Sequence, residues 1–476
     1  MSTRSINELQ REEGRAPDDG DKSEEDHEHY HGVDQAYQHI GVKQALDLFL
    51  KEIKRTDPEN ISVREAIGRV AFEKVASPVN VPEFPRSTRD GYAVRIDDTR
   101  RNRSINSFEI VGEIAIGEHP KVKKDWPRLQ ISQAVKVATG SYLPEGGNAV
   151  IMIEYARVKN QKLEAIKPVK LWENVLRSGE DIAKGQEIIR SGTILRPQHI
   201  ALLSLVGLRH IKVFRRPKVA FFSTGDELFD PSDFEKNKRK KDSKRKHTDG
   251  IKSGKIPDTN RPFITSYLKE LGADGLDLGI ARDNFEEIRS KFVRGLRSAD
   301  ALILSAGSSV GEKDFAVKAA KSIKDVRLLV HGVSMRPSSP TGLAVYKGKP
   351  IVLLPGFPTS AIVSFFVFAR PAILTLGGAS SVSPFAIRAK LLEDDGGEKE
   401  KKKIGKGMLP SRGRVTQFLR VFVSRKEEGK EGNGEYVAKV VRPTDSHYSG
   451  WLAKANGIAV LDGEKASGEY VDVFPI

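Results

Sequence analysis

Acidic and hydroxyl residues follow two short apolar runs in the middle of the sequence. The run "KVAFF" (218–222) is followed by "STGDEL", which carries Thr224, Asp226 and Glu227. The tripeptide "ARD", which ends in Asp283, follows a later apolar run. Carboxylate oxygens are ligands that Mg²⁺ prefers in proteins. These residue types therefore indicate divalent-cation chemistry.

Two further apolar runs are followed by loops rich in glycine and serine. "ALIL" (301–304) precedes "SAGSSVGEKD", and "IVLL" (351–354) precedes "PGFPTS". Glycine and serine let backbone amides approach a phosphate closely, and carboxylates beside a phosphate repel it unless a hard cation lies between. The four loops together predict a phosphate and Mg²⁺ site. The residues that the third loop contributes are Gly307, Ser308, Ser309, Gly311 and Asp314.

Each of these signals has a simpler reading when it is taken alone. "SAGSSVG" is equally typical of a tight turn, and Asp258–Asn260 is typical of a helix N-cap. Their recurrence after successive apolar runs favours a site over separate turns.

A third candidate is the segment "FPRSTRDGYAV" (84–94), which sets Asp90 in a turn between two apolar stretches. Gly91 permits the turn, and Tyr92 and Val94 are expected to anchor it. Asp90 is then presented as an acid or as a partner of metal-bound water. The alternative is that Asp90 only bonds the backbone of its own turn.

The elements that must position the central loops alternate between strands and helices. The short apolar runs are too uniformly apolar to expose one face to solvent, so they are predicted to be buried strands. Two amphipathic helices lie between them, marked by Ile264, Tyr267, Leu268 and Leu271 and by Phe285, Ile288, Phe292 and Leu296. This pattern predicts an α/β domain with a mainly parallel sheet, whose ligands bind at the carboxyl ends of the strands.

The flanking regions have other patterns. An amphipathic helix is predicted from Val42, with Ala45, Leu46, Phe49 and Leu50 on one face. From about Ser383 onward the apolar segments are typical of strands, so a small all-β domain is expected there.

Composition limits the kind of protein. The 476 residues are too many for one core, and 38% hydrophobic with 30% charged residues describes a soluble globular chain. No uninterrupted apolar stretch reaches the ~20 residues of a membrane span. The chain has no cysteine and no secretory signal pattern, so a cytoplasmic location is expected. A net charge of +15 favours anionic ligands without choosing among them.

Three segments are too polar to bury a core. Residues 1–36 are predicted to be a disordered acidic tail, and the lysine-rich stretches 235–247 and 396–407 to be surface loops. The lysine-rich loops are either solvated charge or an electrostatic funnel for an anion. If the loop 236–246 attracts an anionic substrate electrostatically, deleting it should raise the apparent KM at low salt. Nucleic acid is a less favoured partner because these loops lack interleaved aromatic residues.

The ordered motifs of the chain resemble those of the molybdopterin molybdenumtransferase family, which contains the MoeA proteins and the E domain of gephyrin. The resemblance runs from about Tyr37 to the C-terminus. The segments that carry it are "FPRSTRDGYAV", "VATGSYLPEGGNAVIMIE" (137–154), "RSGEDIAKG" (177–185), "RRPKVAFFSTGDEL" (215–228), "DTN" (258–260), "SAGSSVGEKDF" (305–315), "LPGFPTSA" (354–361) and "ANGIAVL" (455–461).

The resemblance implies a multidomain α/β plus β fold. Its expected parts are a discontinuous, elongated linking domain (37–82 and 159–213), a smaller β-rich domain with the DGYA motif (83–158), a central MogA-like α/β domain (214–382) with a basic loop (235–250), and a C-terminal β-barrel-like domain (383–476). It also implies a homodimer whose cleft lies between the α/β domain of one subunit and the DGYA domain of its partner.

The resemblance implies a reaction as well. Molybdate or tungstate is inserted into the dithiolene of adenylylated molybdopterin, and AMP is released with Mg²⁺. Candidate protein partners are the molybdopterin adenylyltransferase, which supplies the substrate, and the apo-molybdoenzymes, which receive the cofactor. An adenylyltransferase activity for this chain is less favoured, because that enzyme lacks the DGYA and barrel domains.

Family roles transfer to this chain by motif. The implied catalytic residues are Asp90, Glu227, Asp283 and Asp314, of which Glu227 and Asp283 are the expected metal ligands. The implied substrate-binding residues are Thr139, Thr224, Gly307, Ser308, Ser309, Gly311, Pro355 and Gly356. The implied oxyanion-binding residues are Arg336, Ser339, Pro340, Ser360 and Arg420.

Three departures from the family pattern bear on activity. "RPSSP" (336–340) stands where many members have Lys-Pro-Gly-Lys-Pro, so Ser339 lacks the second positive charge. Asn148 replaces an acid, and Ala306 replaces a glycine. The alternative function is therefore a catalytically weakened member that acts as a dimeric scaffold or cofactor carrier.

Overall fold

The computed structural model describes residues 40–96, 107–232, 254–306, 315–383, 385–392, 415–426, 434–442, 450–462 and 468–476. The predicted acidic tail and both lysine-rich stretches lie outside these ranges, so those predictions stay predictions.

The first half of the described chain is rich in short strands. They are β1 (Pro58–Ser62), β2 (Val75–Ala76), β3 (Arg86–Ser87), β4 (Gly91–Val94), β5 (Ser107–Ile114), β6 (Gln133–Val137), β7 (Ala149–Met152), β8 (Ala156–Lys159), β9 (Lys162–Ala165), β10 (Val175–Leu176), β11 (Glu187–Ile189) and β12 (His210–Phe214). The helices here are α1 (Val42–Lys51) and α2 (Pro197–Leu205).

The middle part alternates strands with helices. Its strands are β13 (Lys218–Thr224), β14 (Leu228–Phe229), β15 (Ile256–Pro257), β16 (Asp274–Ala281), β17 (Ala301–Ala306), β18 (Val326–His331), β19 (Met335–Arg336), β20 (Gly342–Tyr346) and β21 (Lys349–Pro355). Its helices are α3 (Asn260–Glu270), α4 (Phe285–Ser298), α5 (Phe315–Lys321), α6 (Pro358–Ser364) and α7 (Arg370–Leu376), with a π-helical turn at Phe365–Ala369.

The last part is built from β22 (Ile387–Leu392), β23 (Thr416–Arg425), β24 (Tyr436–Arg442), β25 (Gly457–Leu461) and β26 (Tyr470–Pro475). These strands form a sheet in the order β23-β24-β22-β26-β25, and β23 also pairs with β25. That pairing closes a five-stranded barrel, as predicted for this region. Strand β19 adds to the barrel through a parallel pairing with β23.

The α/β sheet has the strand order β16-β13-β17-β21-β20-β18. The pairs among β16, β13, β17 and β21 are parallel, which confirms the predicted parallel centre. The β20–β21 and β18–β20 pairs are antiparallel, so the sheet is mixed. The sequence pattern missed this edge because β20 and β21 are joined by a tight hairpin, not by a helix.

Helices cover both faces of this sheet. Helices α3, α6 and α7 pack on one face, and α4 and α5 pack on the other. Helix α1 lies on the first face through buried Ala45 and Phe49, although its sequence range falls within the predicted linking domain. The predicted helices at 264–271 and 285–296 are confirmed, and Gly272 follows α3 with a φ of +68°.

The DGYA segment includes β4, an inner strand between β7 and β6 of another six-stranded sheet with the order β7-β4-β6-β5-β9-β8. All four residues of β4 are buried, and Tyr92 and Val94 belong to the core of this sheet. A Cβ atom on Gly91 would lie 2.0 Å from the carbonyl oxygen of Ile151. Glycine is therefore required here by the closeness of β7, whereas the predicted role of permitting the turn is wrong, because Gly91 lies in β4 without a positive φ.

Two antiparallel ribbons, β1–β12 and β2–β11, share a small core with α2. Their connection to the α/β sheet is fixed by Arg215, whose two terminal nitrogens donate to the two carboxylate oxygens of Asp300 at 2.9 Å each. Paired hydrogen bonds of this kind hold a fixed geometry.

A single helical run in the described residues, Pro358–Leu376, passes the length and composition test for a membrane span. In its most apolar window 83% of the residues are buried inside the fold. Burial of this degree is typical of a core helix, and Arg370 interrupts its apolar sequence.

Candidate functional site

The turn that presents Asp90 packs against the loop that follows β6. Asp90 Oδ1 accepts hydrogen bonds from the backbone nitrogen and the hydroxyl of Thr139, at 2.7 and 3.1 Å. The turn itself is held by Ser87, whose hydroxyl accepts from the backbone nitrogen of Arg89 at 3.3 Å. Asp90 thus bonds a neighbouring loop, and its Oδ2 makes no hydrogen bond with the described residues.

The carboxyl ends of the four parallel strands lie in register at one edge of the α/β sheet. Thr224 lies beside Ala281, Ser223 beside Ser305, and Ala306 beside Pro355. The loops after β13, β16 and β21 therefore open on the same edge, as the sequence predicts. The loop after β17 lies outside the described residues, and with it the predicted Gly307, Ser308, Ser309, Gly311 and Asp314.

Three exposed acids follow β13 and β16 at this edge. The backbone nitrogen of Asp226 approaches Asp283 Oδ2 at 3.4 Å, and that of Asp283 approaches Asp226 Oδ1 at 3.4 Å. The Glu227 carboxylate folds back over Gly225, where a Cβ atom would lie 2.7 Å from it. The structure thus brings Asp283 to Asp226, whereas the motif reading pairs it with Glu227.

These acids are suitable ligands for Mg²⁺. No cluster of three or more potential metal ligands occurs in the part of the chain that the structure describes. Mg²⁺ is nevertheless commonly held by one or two carboxylates together with substrate phosphates. The exposed carboxylates of Glu227 and Asp283 leave room for such a substrate, so the donor set fits the ion.

Helix α4 begins directly after Asp283 and fixes its position. Asn284 caps the helix, since its side-chain oxygen accepts from the backbone nitrogens of Glu286 and Glu287 at 2.9 and 3.1 Å. An N-cap of this kind ties the loop to the helix start.

Asn260, the last residue of "DTN", joins the ends of two strands. Its Nδ2 donates to the Ser305 hydroxyl at 2.7 Å and to the Gly356 carbonyl at 2.8 Å. Asp258 does cap α3, because its Oδ1 accepts from the backbone nitrogens of Asn260 and Arg261 at 3.1 and 3.3 Å. The N-cap interpretation of this motif is therefore correct for Asp258 and incomplete for Asn260.

The sequence analysis missed Arg261, which holds three aspartates. The guanidinium, 5% exposed, donates to Asp258 at 2.7 Å, to Asp277 at 2.8 and 2.9 Å, and to Asp230. Burial alone would lower the pKa of Arg261, but the hydrogen bonds to its acids raise it. Its position next to "DTN" is the only sequence signal, and a lone arginine gives no hint of partners 16 and 31 residues away.

The "RPSSP" loop contacts the first turn of α6. Ser338 has a φ of +88° and donates its hydroxyl hydrogen to the Ser360 carbonyl at 2.6 Å. The Ser338 hydroxyl therefore ties this loop to the start of α6. Ser339 is partly buried and accepts from the Val333 nitrogen through its carbonyl at 2.8 Å. Partly buried Pro340 follows it.

The two candidate oxyanion arginines differ in exposure. Arg336 is exposed, and β19 pairs it with Gln417 of the barrel. Arg420 is fully buried, with its guanidinium carbon 5.9 Å from the centroid of the Trp451 ring. Trp451 donates to the Thr359 hydroxyl at 2.8 Å, directly before Ser360. The barrel therefore meets both the "RPSSP" loop and the start of α6, and of these two arginines only Arg336 is exposed to an oxyanion.

The remaining substrate candidates lie at the sheet edge. Thr224 is the buried last residue of β13, and Pro355 is the buried last residue of β21. Among the described residues no hydrogen bond or ion pair joins the Asp90–Thr139 pair to the acids of this edge. The acid-bearing candidates therefore form two groups on two sheets, and the oxyanion candidates Arg336 and Arg420 lie on the barrel sheet.

Comparisons with known proteins agree with this architecture. The chain matches the MoeA N-terminal region (domains I and II) over residues 40–207, a "Probable molybdopterin binding domain" over 220–375 and the MoeA C-terminal region (domain IV) over 406–476. It is 32% identical to the molybdopterin molybdenumtransferase of Haemophilus influenzae, over 71% of this chain and 78% of that protein. The enzyme of that name from Nostoc is 31% identical, over 70% of this chain and 72% of that protein.

A solved structure is also similar over most of the chain. The molybdopterin biosynthesis MoeA protein of Pyrococcus horikoshii is 26% identical with a TM-score of 0.70, covering 92% of this chain and 100% of that one. The fold and the acid-bearing sheet edge thus define a multidomain protein with a molybdopterin-binding domain. The chain belongs to the MoeA family, the molybdopterin molybdenumtransferases of molybdenum cofactor biosynthesis.

Proposed function

We propose that this protein transfers molybdate or tungstate into adenylylated molybdopterin and releases AMP in a Mg²⁺-dependent step. The observation that carries the proposal is the row of exposed acids, Asp226, Glu227 and Asp283, at the carboxyl edge of a molybdopterin-binding domain. Three carboxylates beside an anionic ligand would repel it unless a hard cation lay between them, which supports a Mg²⁺-dependent reaction.

Mg²⁺ bound by Glu227 and Asp283 would neutralise charge on the phosphoanhydride as it is cleaved. Asp226 holds the Asp283 loop through the reciprocal contacts described above, and so orients one of the two ligands. Asn260 joins the carboxyl ends of β17 and β21 at the same sheet edge through Ser305 and Gly356. Asp90, with Oδ2 free of described partners, accepts a proton from the water that replaces AMP at phosphorus.

The oxyanion is proposed to bind near the junction of the "RPSSP" loop, the loop after β21 and the barrel. The exposed guanidinium of Arg336 supplies a planar pair of donors for an oxyanion. When the two thiols of the dithiolene bond the metal, one oxygen of the oxyanion leaves as water with their two protons.

The setting of this activity is also part of the proposal. Asp90 and the sheet-edge acids belong to different sheets, which supports a homodimer in which a partner subunit completes each site. We place the protein in the cytoplasm, where the adenylyltransferase supplies the substrate and apo-molybdoenzymes take the product.

The test is AMP release from adenylylated molybdopterin by the purified protein with Mg²⁺, with no oxyanion, with molybdate and with tungstate. Release stimulated by one oxyanion is expected, and the better oxyanion identifies the metal. Asp283→Asn should reduce release by roughly a hundredfold, because a metal ligand is lost. Asp274→Asn is the matched control, since Asp274 is exposed at the opposite end of β16.

Absence of release with either oxyanion contradicts the insertase. In that case Ser339 and Ala306 have disabled the site, and the dimeric scaffold or carrier becomes the leading function. Equal release by Asp283→Asn and Asp274→Asn contradicts the metal assignment.

A further inference from the structure

Arg86 lies four residues before Asp90 and is held against an aromatic platform. Its guanidinium carbon is 4.3 Å from the centroid of the Tyr142 ring, and its Nη2 donates to the Tyr142 hydroxyl at 2.6 Å. Tyr142 is packed edge to face against His119 and Phe84, with ring centroids 5.0 and 5.8 Å away. The cation is therefore held in a fixed position against the ring.

Among the described residues this guanidinium has no ion-pair partner. Arg86 is partly buried, and Glu83, three residues before it, is paired with Lys121 and His119. Its Nε is buried and has no hydrogen-bond partner. Burying a cation and a donor without partners is unfavourable, so the arrangement is typical of a site that an anion completes.

The same two segments hold Arg86 and the Asp90–Thr139 pair. Ser87 donates its backbone hydrogen to the Ser141 carbonyl at 2.9 Å, and Gly140 donates to the Ser87 carbonyl at 2.8 Å. Residues 86–90 therefore run beside residues 139–142, which places Arg86 and Asp90 on one loop pair.

We propose that Arg86, stacked on Tyr142, binds a phosphate monoester anion on the DGYA domain. Guanidinium groups bind phosphate oxygens through paired donors, and stacking on an aromatic ring leaves those in-plane donors available. The assignment to the reaction rests on the proposed function, in which cleavage of the phosphoanhydride yields two such phosphates, one on AMP and one on the pterin. Either would bring its charge next to Asp90.

The experiment measures equilibrium binding of AMP, adenosine and a pterin carrying a methylene monophosphate, by calorimetry with the full chain. Arg86→Gln should weaken binding of a phosphate ligand by about tenfold or more, as expected for loss of a charged paired contact. Arg86→Lys keeps the charge but loses the planar fork, so intermediate weakening is expected. Arg157→Gln, at an exposed arginine on β8 of the six-stranded sheet that contains β4, controls for the loss of one positive charge.

Each outcome decides the inference. A loss with AMP alone assigns the AMP phosphate, a loss with the pterin phosphate alone assigns that phosphate, and a loss with both supports a shared site. Adenosine should bind all variants equally. Binding of both phosphates by Arg86→Gln within twofold of the unsubstituted protein, or no binding by the latter at millimolar ligand, would overturn the inference.

Two features keep this test independent of the proposed function. Binding is measured without oxyanion or turnover, so a failure of AMP release does not affect it. If the melting temperature shows that Arg86→Gln folds poorly, the affinity of Arg86→Lys is used instead. Equal phosphate affinity of Arg86→Lys and the unsubstituted protein then contradicts the site.

Discussion

Single side chains set the geometry of both candidate groups. Asp90 takes its orientation from Thr139, and Asp283 takes its position from Asp226 and the capped start of α4. In both cases a carboxylate accepts a backbone N–H of another loop. The hydrogen bond fixes one oxygen and leaves the other for a ligand.

Thr139→Val should weaken the function of Asp90 while the fold is kept. The substitution removes the hydroxyl contact at 3.1 Å and leaves the backbone contact at 2.7 Å. We expect AMP release to fall about tenfold, the usual size of a lost hydrogen bond to a charged group. Thr139→Ser retains the hydroxyl and should stay near the unsubstituted rate; equal losses in both variants would show that the hydroxyl is irrelevant.

Asn148, one of the departures from the family pattern, has a structural role. Its Oδ1 accepts from the Ile96 nitrogen at 2.7 Å, and its Nδ2 donates to the Ile96 carbonyl at 2.8 Å. A carboxylate can accept here but cannot donate. The asparagine therefore closes the end of β4 in a way that an ionised aspartate cannot.

Asn148→Asp should lower the free energy of unfolding by about 1–3 kcal/mol, because a carboxylate then faces a carbonyl oxygen. The measurement is urea unfolding at pH 7. Asn160→Asp, in the exposed β8–β9 turn, is the control and should change the free energy by less than about 0.5 kcal/mol. Equal effects of the two substitutions on the free energy of unfolding would contradict the structural role of the Asn148–Ile96 hydrogen bonds.

At the scale of elements, Arg261 connects the start of α3 with β16 and with the segment after β14. Its partners Asp258, Asp277 and Asp230 come from these three places. The connection brings together both ends of the interval 233–253, so that "TGDEL" and "DTN" lie at the same sheet edge. Strands β14 and β15 reinforce it by pairing in parallel.

Stability should depend on pH through Asp230 in this network. Partial burial raises its pKa, but hydrogen bonds from Ser232 and Arg261 outweigh burial and lower it to about 2, from an ordinary 3.8. Because the folded pKa is the lower one, the ionised group stabilises the fold above about pH 4, and this stabilisation is lost as pH falls toward about 2.

Asp230→Asn removes that contribution. The difference in urea midpoint between the unsubstituted protein and Asp230→Asn should therefore be largest above pH 5 and should shrink between pH 4 and about 2. Asp274→Asn, exposed at the other edge of the sheet, serves as the control for loss of a surface carboxylate. A difference that stays constant down to pH 2 would refute the role of Asp230.

At the scale of the whole molecule, the two candidate groups lie on separate sheets, and a shared site between subunits is testable by mixing. Asp90→Asn and Glu227→Gln chains should each be inactive as homodimers. Co-expressed in equal amounts, they should recover about a quarter of full AMP release, since half of the dimers are mixed and each has one intact site.

The matched control mixes Glu227→Gln with Asp283→Asn. Both substitutions affect the same sheet edge, so no mixed dimer has an intact site. Recovery in the control, or no recovery in the first mixture, would contradict a site completed by the partner subunit.

Local and periodic features were readable from the sequence. The buried strands at 218–222, 301–304 and 351–354, the helices at 264–271 and 285–296 and the all-β C-terminal region are all present, because burial on two faces, a 3.6-residue period and strand alternation each leave a local pattern. The acids at the strand ends were also found this way. Parallel strands bring their carboxyl ends together without further information.

Tertiary structure alone decided the contacts between distant segments. It pairs Asp283 with Asp226, gives Arg261 its three aspartates, buries Arg420 against Trp451 and stacks Arg86 on Tyr142. It also makes the α/β sheet mixed and places α1 on it. These contacts depend on how segments far apart in the chain pack, and side-chain pairs of that kind leave no period or spacing in the sequence from which they could be read.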